Sequence, residues 1–256
     1  MECVAEIYDR WWETDAEDVD QIRDLIGGRG PLRILEPFCG TGRVLIPLAH
    51  DGHELTGLDQ AQAMLDRARA KIERLPREVR RRIALAQADV TSEEWPTGFD
   101  LLILGGNCLY ELSTPEEQEH CLASAARALK PGGYVYLDND HMEGDLDESW
   151  RKPGRETGDS YTCADGTRVE FSGETIWYDA PRRLHRSRRL MAVIRPDGSS
   201  AEHEFIVQKH PVSASEVETW LCRHGFTIER QWVTTGRATY WARLSAQTSE
   251  QHTAPG

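Results

Sequence analysis

The sequence predicts a doubly wound α/β fold with a mostly parallel sheet, and three features of its patterning carry that expectation. β-rich runs at 33–38, 54–59, 83–89, 100–106 and 134–140 alternate with helical-period segments at 14–27, 42–50, 61–75 and 114–129. That order builds parallel strands with helices on both faces. A glycine turn, Cys39-Gly40-Thr41-Gly42, directly follows the first run. After the fifth run the helical period stops, and β-rich runs succeed one another near 167–179, 182–195 and 202–210.

Taken in order, the boundaries have local causes. The apolar strand Ile34-Leu35 breaks at Pro37 into the glycine turn, and a helix opens beyond it. The stretch from Val90 to Phe99 is too short and irregular to be a full helix. Ser113-Thr114-Pro115-Glu116-Glu117 offers an N-cap, a first-turn proline and first-turn acids, and Lys130-Pro131-Gly132-Gly133 stops that helix before the next strand. An acidic stretch from Asp138 to Glu148 and a loop with Lys152-Pro153-Gly154 then lead into the β-rich runs. Those runs are joined across Asp179-Ala180-Pro181 and Arg195-Pro196-Asp197-Gly198-Ser199, both hairpin connections.

A helix from Ser213 to His224 is ended by Gly225 and followed by strands at 226–233 and 237–245. Only Thr234, Thr235 and Gly236 separate that pair, so it is antiparallel, because a parallel crossover needs a dozen or more residues. Five parallel strands and this pair make a seven-stranded sheet. The expected organisation is a core at 1–140, an antiparallel insertion at 141–212 after the fifth strand, a closing helix and strand pair at 213–245, and a flexible tail at 246–256.

Composition narrows the function classes. A chain of 256 residues suits one large domain or a domain with an insertion. No apolar run approaches the ~20 residues that cross a bilayer, so no membrane partner is expected. The acidic start, Met1 to Glu6, lacks the basic flank and apolar core of a signal peptide, which predicts a cytoplasmic location. Six scattered cysteines without a Cys-x-x-Cys pair read as reduced thiols rather than a disulfide framework or zinc site. A net charge of -13 opposes nucleic-acid binding. The basic runs Arg77 to Arg82 and Arg182 to Arg189 read as solvated faces.

The glycine turn suits a ligand that approaches the backbone closely, and the helix after it favours anionic groups. The third glycine of a dinucleotide fingerprint is absent, since Leu45 stands there, and no Gly-Lys-Ser/Thr follows to cradle phosphates. Asp59, at the end of the second run and followed by Gln60, stands near the offset at which an acid accepts ribose hydroxyls. Asp89, at the end of the third, can accept from an adenine amino group; Val90 beside it either packs on the ring or belongs to the strand end. This ordered set describes a nucleoside site.

With these residues in place the sequence resembles the class I S-adenosylmethionine-dependent methyltransferases, over residues 30–140 and again at 213–245. The resemblance implies a Rossmann-like fold. By it, Glu36, Gly40 and Gly42 shape the pocket for the methionine part of S-adenosylmethionine, Asp59 and Gln60 lie at the ribose, and Asp89 and Val90 at the adenine.

Leu104-Gly105-Gly106-Asn107-Cys108-Leu109-Tyr110-Glu111-Leu112, followed by Lys130-Pro131-Gly132-Gly133 and Leu137-Asp138, is similar to the glycine N-methyltransferase group and related small-molecule N-methyltransferases. That likeness puts Asn107 beside the reacting centre and Gly106 at the cofactor. Tyr8-Asp9-Arg10-Trp11-Trp12 resembles the group's N-terminal segment, whose tyrosine approaches the cofactor. Asp140, however, stands where the glycine enzymes have the arginine that pairs with the substrate carboxylate. Glycine is thus a doubtful acceptor. An acid there suits a cationic or polyhydroxylated acceptor, or is part of a solvated loop.

Methyl transfer is an in-line displacement, so alignment in a water-poor pocket supplies most of the rate. A neutral amine needs no base. A hydroxyl or carboxylic acid needs one, for which His141 comes first, then Glu111 or Tyr110; His141 as a plain loop residue is the other reading. Trp11, Trp12, Tyr110, Tyr178 and Tyr240 are aromatics able to wall the acceptor pocket, with Arg237 beside them; Tyr178 and Tyr240 also suit ordinary strand packing. The implied activity is methylation of nitrogen, or secondarily oxygen, of a small-molecule acceptor by a monomer or homo-dimer. A nucleic-acid methyltransferase and a cofactor-binding regulatory protein without turnover are the alternatives.

Overall fold

The computed structural model describes residues 8–9, 17–92, 94–151, 154–163 and 165–246. Trp11, Trp12 and residues 247–256 of the expected tail lie outside them. The elements run α1 (Glu17–Ile26), β1 (Arg33–Glu36), α2 (Leu45–His50), β2 (Glu54–Asp59), α3 (Gln62–Ile72), α4 (Arg77–Arg80), β3 (Ile83–Gln87) and β4 (Phe99–Leu104). They continue with α5 (Cys108–Glu111), α6 (Pro115–Ala128), β5 (Leu129–Asp140), a 3-10 turn (Glu148–Trp150), β6 (Glu156–Thr162), β7 (Arg168–Asp179), β8 (Leu184–Ile194), β9 (Ser200–Lys209), α7 (Ala214–Arg223), β10 (Phe226–Val233) and β11 (Arg237–Leu244).

Seven strands form one sheet in the order β10-β11-β5-β4-β1-β2-β3. The five strands β1 to β5 pair in parallel, and β11 is antiparallel to both β5 and β10. The chain winds outward from β1 through β2 to β3, then returns to β4 on the other side. A ligand crevice therefore opens beyond the carboxyl ends of β1 and β4.

Alternation along the strands explains why both faces need helices. Leu35, Leu102, Leu104, Val135 and Leu137 turn to one face and pack with Leu122 of α6 and Leu221 of α7. Their chain neighbours Ile34, Leu101, Ile103 and Tyr136 turn to the other and pack with Ile22, Leu48 and Leu65 of α1, α2 and α3. Strands that are apolar on both faces are the mark of a buried parallel sheet.

The α6 start follows its sequence: Thr114 Oγ1 accepts from the Glu117 amide at 3.2 Å, Pro115 fills the first turn, and the Glu117 carboxylate accepts from the Ser113 amide at 2.7 Å. Ser213 and Glu216 form a full capping box on α7. After α6, Lys130-Pro131-Gly132-Gly133 is part of β5 rather than a stop before it. The register slips there, from Phe99↔Leu129 to Leu101↔Tyr134. A Cβ on Gly133 would stand 3.0 Å from the Lys130 carbonyl and 3.2 Å from that of Asp100, so glycine is required for the slip.

Two expectations are corrected. The insertion sheet has four strands, β6-β7-β8-β9, because Glu156–Thr162 pairs antiparallel with β7. Its sequence, polar and carrying Gly158, hid that strand. The basic run at Arg77 is a solvated face as expected, carried on the short helix α4 with only Val79 buried. β3 and β4 end at Gln87 and Leu104, two residues before the expected limits. Asp89 therefore lies outside the strand that was expected to aim it.

Candidate active site

A cavity of about 1950 Å³ lies between the carboxyl edge of the large sheet and the insertion sheet. Its floor begins at the glycine turn. Gly40 and Gly42 have φ of 50° and 81°, a left-handed conformation that other residues adopt at a cost. Asp59 fixes this turn to β2: its carboxylate accepts from the Gly40 amide at 2.9 Å and the Ala61 amide at 2.8 Å. Each oxygen keeps acceptor capacity for a diol. Gln60, next to it, is also on the wall.

Glu36, at the end of β1, is 6% exposed, and its Oε2 has no hydrogen-bond partner. Burial pushes its carboxyl up to about 8, opposed by the Arg43 guanidinium and reinforced by Asp18 and Asp59. Arg43 in turn forms a bidentate pair with Asp18 of α1, at 2.7 and 2.6 Å. Tyr8 lies on the same wall, its phenol raised by burial and held back by Arg43. Beside it Asp9 accepts from Thr41 of the turn, from Arg67 at 2.8 Å and from Lys71 at 2.8 Å. The N-terminal segment is thereby fastened across the glycine turn to α3.

The second half of the cavity is set by β4 and β5. Asn107 stands at φ 66°, where Asn is among the few tolerated residues. Its amide bonds Asp140 twice, donating to the carboxylate at 2.7 Å and accepting from the backbone at 2.8 Å. Its own N–H donates to Asp138 at 3.2 Å. Asp138 is fully buried, which raises its carboxyl, while Arg237 at 3.0 Å lowers it. Arg237 also reaches Asp140 at 3.9 Å. Gly106, Asn107, Asp140 and Arg237 are thus brought to one wall.

Tyr110 and Glu111 are on the cavity as well. Lys209 of β9, buried at 4% side-chain exposure, pairs with Glu111 at 2.7 Å and lies 4.9 Å above the Tyr110 ring centre. Burial lowers the Lys209 ammonium, offset by Glu111.

Several expected site residues lie elsewhere or outside the described residues. Asp89 is not on the wall; its carboxylate accepts from the Thr91 amide at 3.0 Å and hydroxyl at 2.7 Å, which holds it below the usual range. Val90, next in the chain, lines the cavity instead. An acid two residues before Thr is the signature of such a local turn, and it competes with a ligand role. His141 is also off the wall. Its Nε2 lies 2.9 Å from the Thr234 carbonyl, an acceptor only, so Nε2 carries hydrogen and the ring ties the end of β5 to the β10–β11 turn. Tyr178, in register with His185, is not on the wall, and Trp11 lies outside the described residues. Tyr240 is fully buried in the core.

Sequence reasoning missed Asp18, Arg43, Asp138, Lys209 and the β8 face carrying His185, Ser187 and Arg189. Arg43 stood in the helix-opening turn and Asp138 in the quoted Leu137-Asp138, and both were readable as buried-acid partners. Nothing in the sequence marked β8 or β9 as facing the crevice.

A methyltransferase-domain family model matches residues 34–133. That stretch holds the glycine turn, Glu36, Asp59 and Asn107. This chain carries a methyltransferase domain of the S-adenosylmethionine-dependent class. A protein of Geobacillus sp. (strain WCH70), provisionally named a methyltransferase, is 25% identical over 224 residues, 86% of this chain and 83% of that protein. The ubiquinone biosynthesis O-methyltransferase of Alkalilimnicola ehrlichii is 29% identical over 136 residues. That match takes in 49% of this chain and 53% of the relative, so the shared part is about half of each. The sugar N-methyltransferase KedS8 from a Streptoalloteichus species shares the fold, with a TM-score of 0.68 at 17% identity, over 96% of this methyltransferase and 95% of KedS8.

The cavity fits S-adenosylmethionine on its own features. The orphaned Glu36 oxygen awaits a donor such as an ammonium, Asp59 offers acceptors to a diol, and the turn lacks side chains where a ligand would press on the backbone.

Proposed function

We propose that this methyltransferase transfers its methyl group to a nitrogen of a small, polyhydroxylated amine. The observation that carries the reading is the continuity of one cavity from Glu36 and Asp59 to the Asn107–Asp140 pair, with the polar face of the insertion sheet opposite. Bound S-adenosylmethionine supplies an electrophilic methyl on a sulfonium. Glu36, the glycine turn and Asp59 hold that donor, with Gln60 and Val90 alongside, and Tyr8 and the Asp9 latch cover it. Residues 141–212 cover the acceptor side and exclude water.

Asn107, fixed at both ends of its amide, orients the acceptor, and Asp140 draws an amine toward the wall. Nitrogen is favoured over oxygen because the first candidate base, His141, is turned to a backbone carbonyl, and Glu111 on the wall is paired with Lys209. An amine arriving neutral brings its own lone pair. The likeness to KedS8 supports an amino-sugar-like acceptor, while the O-methyltransferase relative makes oxygen the second reading.

The test is a mass-spectrometric product assay of the full chain with S-adenosylmethionine over aminosugars, simple amines, phenols and carboxylic acids. N-methylated aminosugars are expected. Product from phenols alone would move the assignment to oxygen, and cofactor binding with no product in any class would overturn turnover.

A further inference from the structure

The insertion sheet turns one strip of side chains into the cavity, and its composition is unlike the rest of this acidic molecule. Along β8, His185, Ser187 and Arg189 recur at every second residue and line the wall. On β9, Lys209 stands in register with His185 and lines it too. On the other side Thr175 is in register with Ser187, and Gly173 with Arg189.

Ser187 is 5% exposed, yet its Oγ has no hydrogen-bond partner. A buried hydroxyl without a partner is costly, so one facing a cavity is positioned to meet something that enters. Arg189 makes no ion pair with any described residue, whereas Arg188, on the opposite face, is bonded to Glu174 and to Glu204 at 3.2 Å. A Cβ on Gly173 would stand 3.2 Å from the Arg188 carbonyl and 3.9 Å from the Arg189 Cγ, so glycine spares a tight contact with β8 beside Arg189. Lys209 is charge-balanced by Glu111, and Arg189 adds a positive charge near enough to act on both Lys209 and Tyr110. Glu156 and Glu174 also border the cavity, and Glu174 turns its carboxylate to Arg188.

We propose that Arg189, Ser187 and Lys209 form an anion subsite, in which a carboxylate or phosphate of the acceptor is held while its amine faces Asn107 and Asp140. The guanidinium supplies forked donors, the serine a neutral donor, and the lysine a point charge above Tyr110. The proposal deepens the amine reading and rests on it, because it makes the acceptor two-ended: amine end to the large sheet, anionic end to the insertion. It also explains how a chain of net charge -13 admits an anionic metabolite, since the field inside a cleft follows the local groups.

The test uses inorganic phosphate and acetate as separate probes on the full chain saturated with S-adenosylhomocysteine, at ionic strength held constant with chloride. The readouts are the 31P linewidth of phosphate and the 13C linewidth of labelled acetate. We expect broadening of at least one probe in the wild type, cut at least fivefold in Arg189→Gln, largely kept in Arg189→Lys, and unchanged in Arg182→Gln. The arm that broadens identifies the source as phosphate or carboxylate. No broadening of either, or broadening that survives Arg189→Gln, overturns the subsite. S-adenosylhomocysteine affinity, measured alongside, separates this from a failure of the cofactor assignment, for it reads Glu36 and Asp59 and is expected to be equal in all three variants.

Discussion

Glu36 has its chemistry set by burial more than by type. Its carboxyl is held protonated up to about 8, against 4.5 for an ordinary glutamate, with Arg43, Asp18, Asp59 and Tyr8 around it. The folded chain thus holds a proton that the unfolded chain has lost between those values. The stabilising contribution is full below 4.5 and disappears as pH rises through about 8. Melting curves across that window should show wild type losing ground to Glu36→Gln with rising pH; parallel profiles would mean the group does not titrate there. A cation meeting the orphaned oxygen favours the carboxylate, so S-adenosylmethionine binding at neutral pH should release a proton. Calorimetry in two buffers of different ionisation enthalpy detects it, and Glu36→Gln should abolish it. Asp59→Ala removes both the anchor of the turn and a ligand acceptor, and should weaken S-adenosylhomocysteine binding at least tenfold, about 1.4 kcal/mol. Asn107→Gly keeps the left-handed backbone while deleting the amide. Turnover should fall about tenfold or more with cofactor affinity within about twofold, the signature of lost orientation rather than lost binding.

At the scale of elements, the glycine turn is held by its neighbour strand as much as by its own residues. Gly57 of β2 lies beneath it: a Cβ there would sit 2.7 Å from Leu45 Cδ1, 2.8 Å from Cys39 Sγ and 2.8 Å from Leu85 Cδ2. Gly57→Ala should cost roughly 1–3 kcal/mol through overpacking and lower the melting temperature, with loss of cofactor affinity as the turn shifts. An unchanged melting temperature would show that α2 moves aside freely. Elements whose signal is local were readable beforehand. The α6 cap, the α7 box and the β10–β11 hairpin all rest on residues a few positions apart, and each lies within a residue or so of its expected place. β6 was hidden because its pairing with β7 is decided by a partner strand and not by its own alternation.

Across the whole molecule, stability is unevenly spread. The large sheet packs apolar side chains on both faces, whereas the insertion encloses only a small cluster around Val169, Met191 and Val193. Hydrogen exchange should therefore be faster in β6–β9 than in β1, β4 and β5, and S-adenosylhomocysteine should slow it at 36–44 and 59–61. Uniform protection would contradict this division. The cavity between the two sheets belongs to neither alone: Asp140 stands on one wall, Arg189 and Lys209 on the other.

By itself the sequence determined the order of strands and helices in the large sheet, the glycine turn, the acid that ends β2 and the antiparallel closing pair. These follow from side-chain period and from backbone conformations that only certain residues accept. Tertiary structure alone decided which acids and bases meet. Asp89 spends its carboxylate on Thr91, His141 ties the end of β5 to the β10–β11 turn, and Asp140, Lys209 and Arg189 reach the cavity from strands far apart in the chain. The physical reason is range: period and turn chemistry act over a few residues, while burial, ion pairing and the facing of a strand are fixed by whichever surface packs against it.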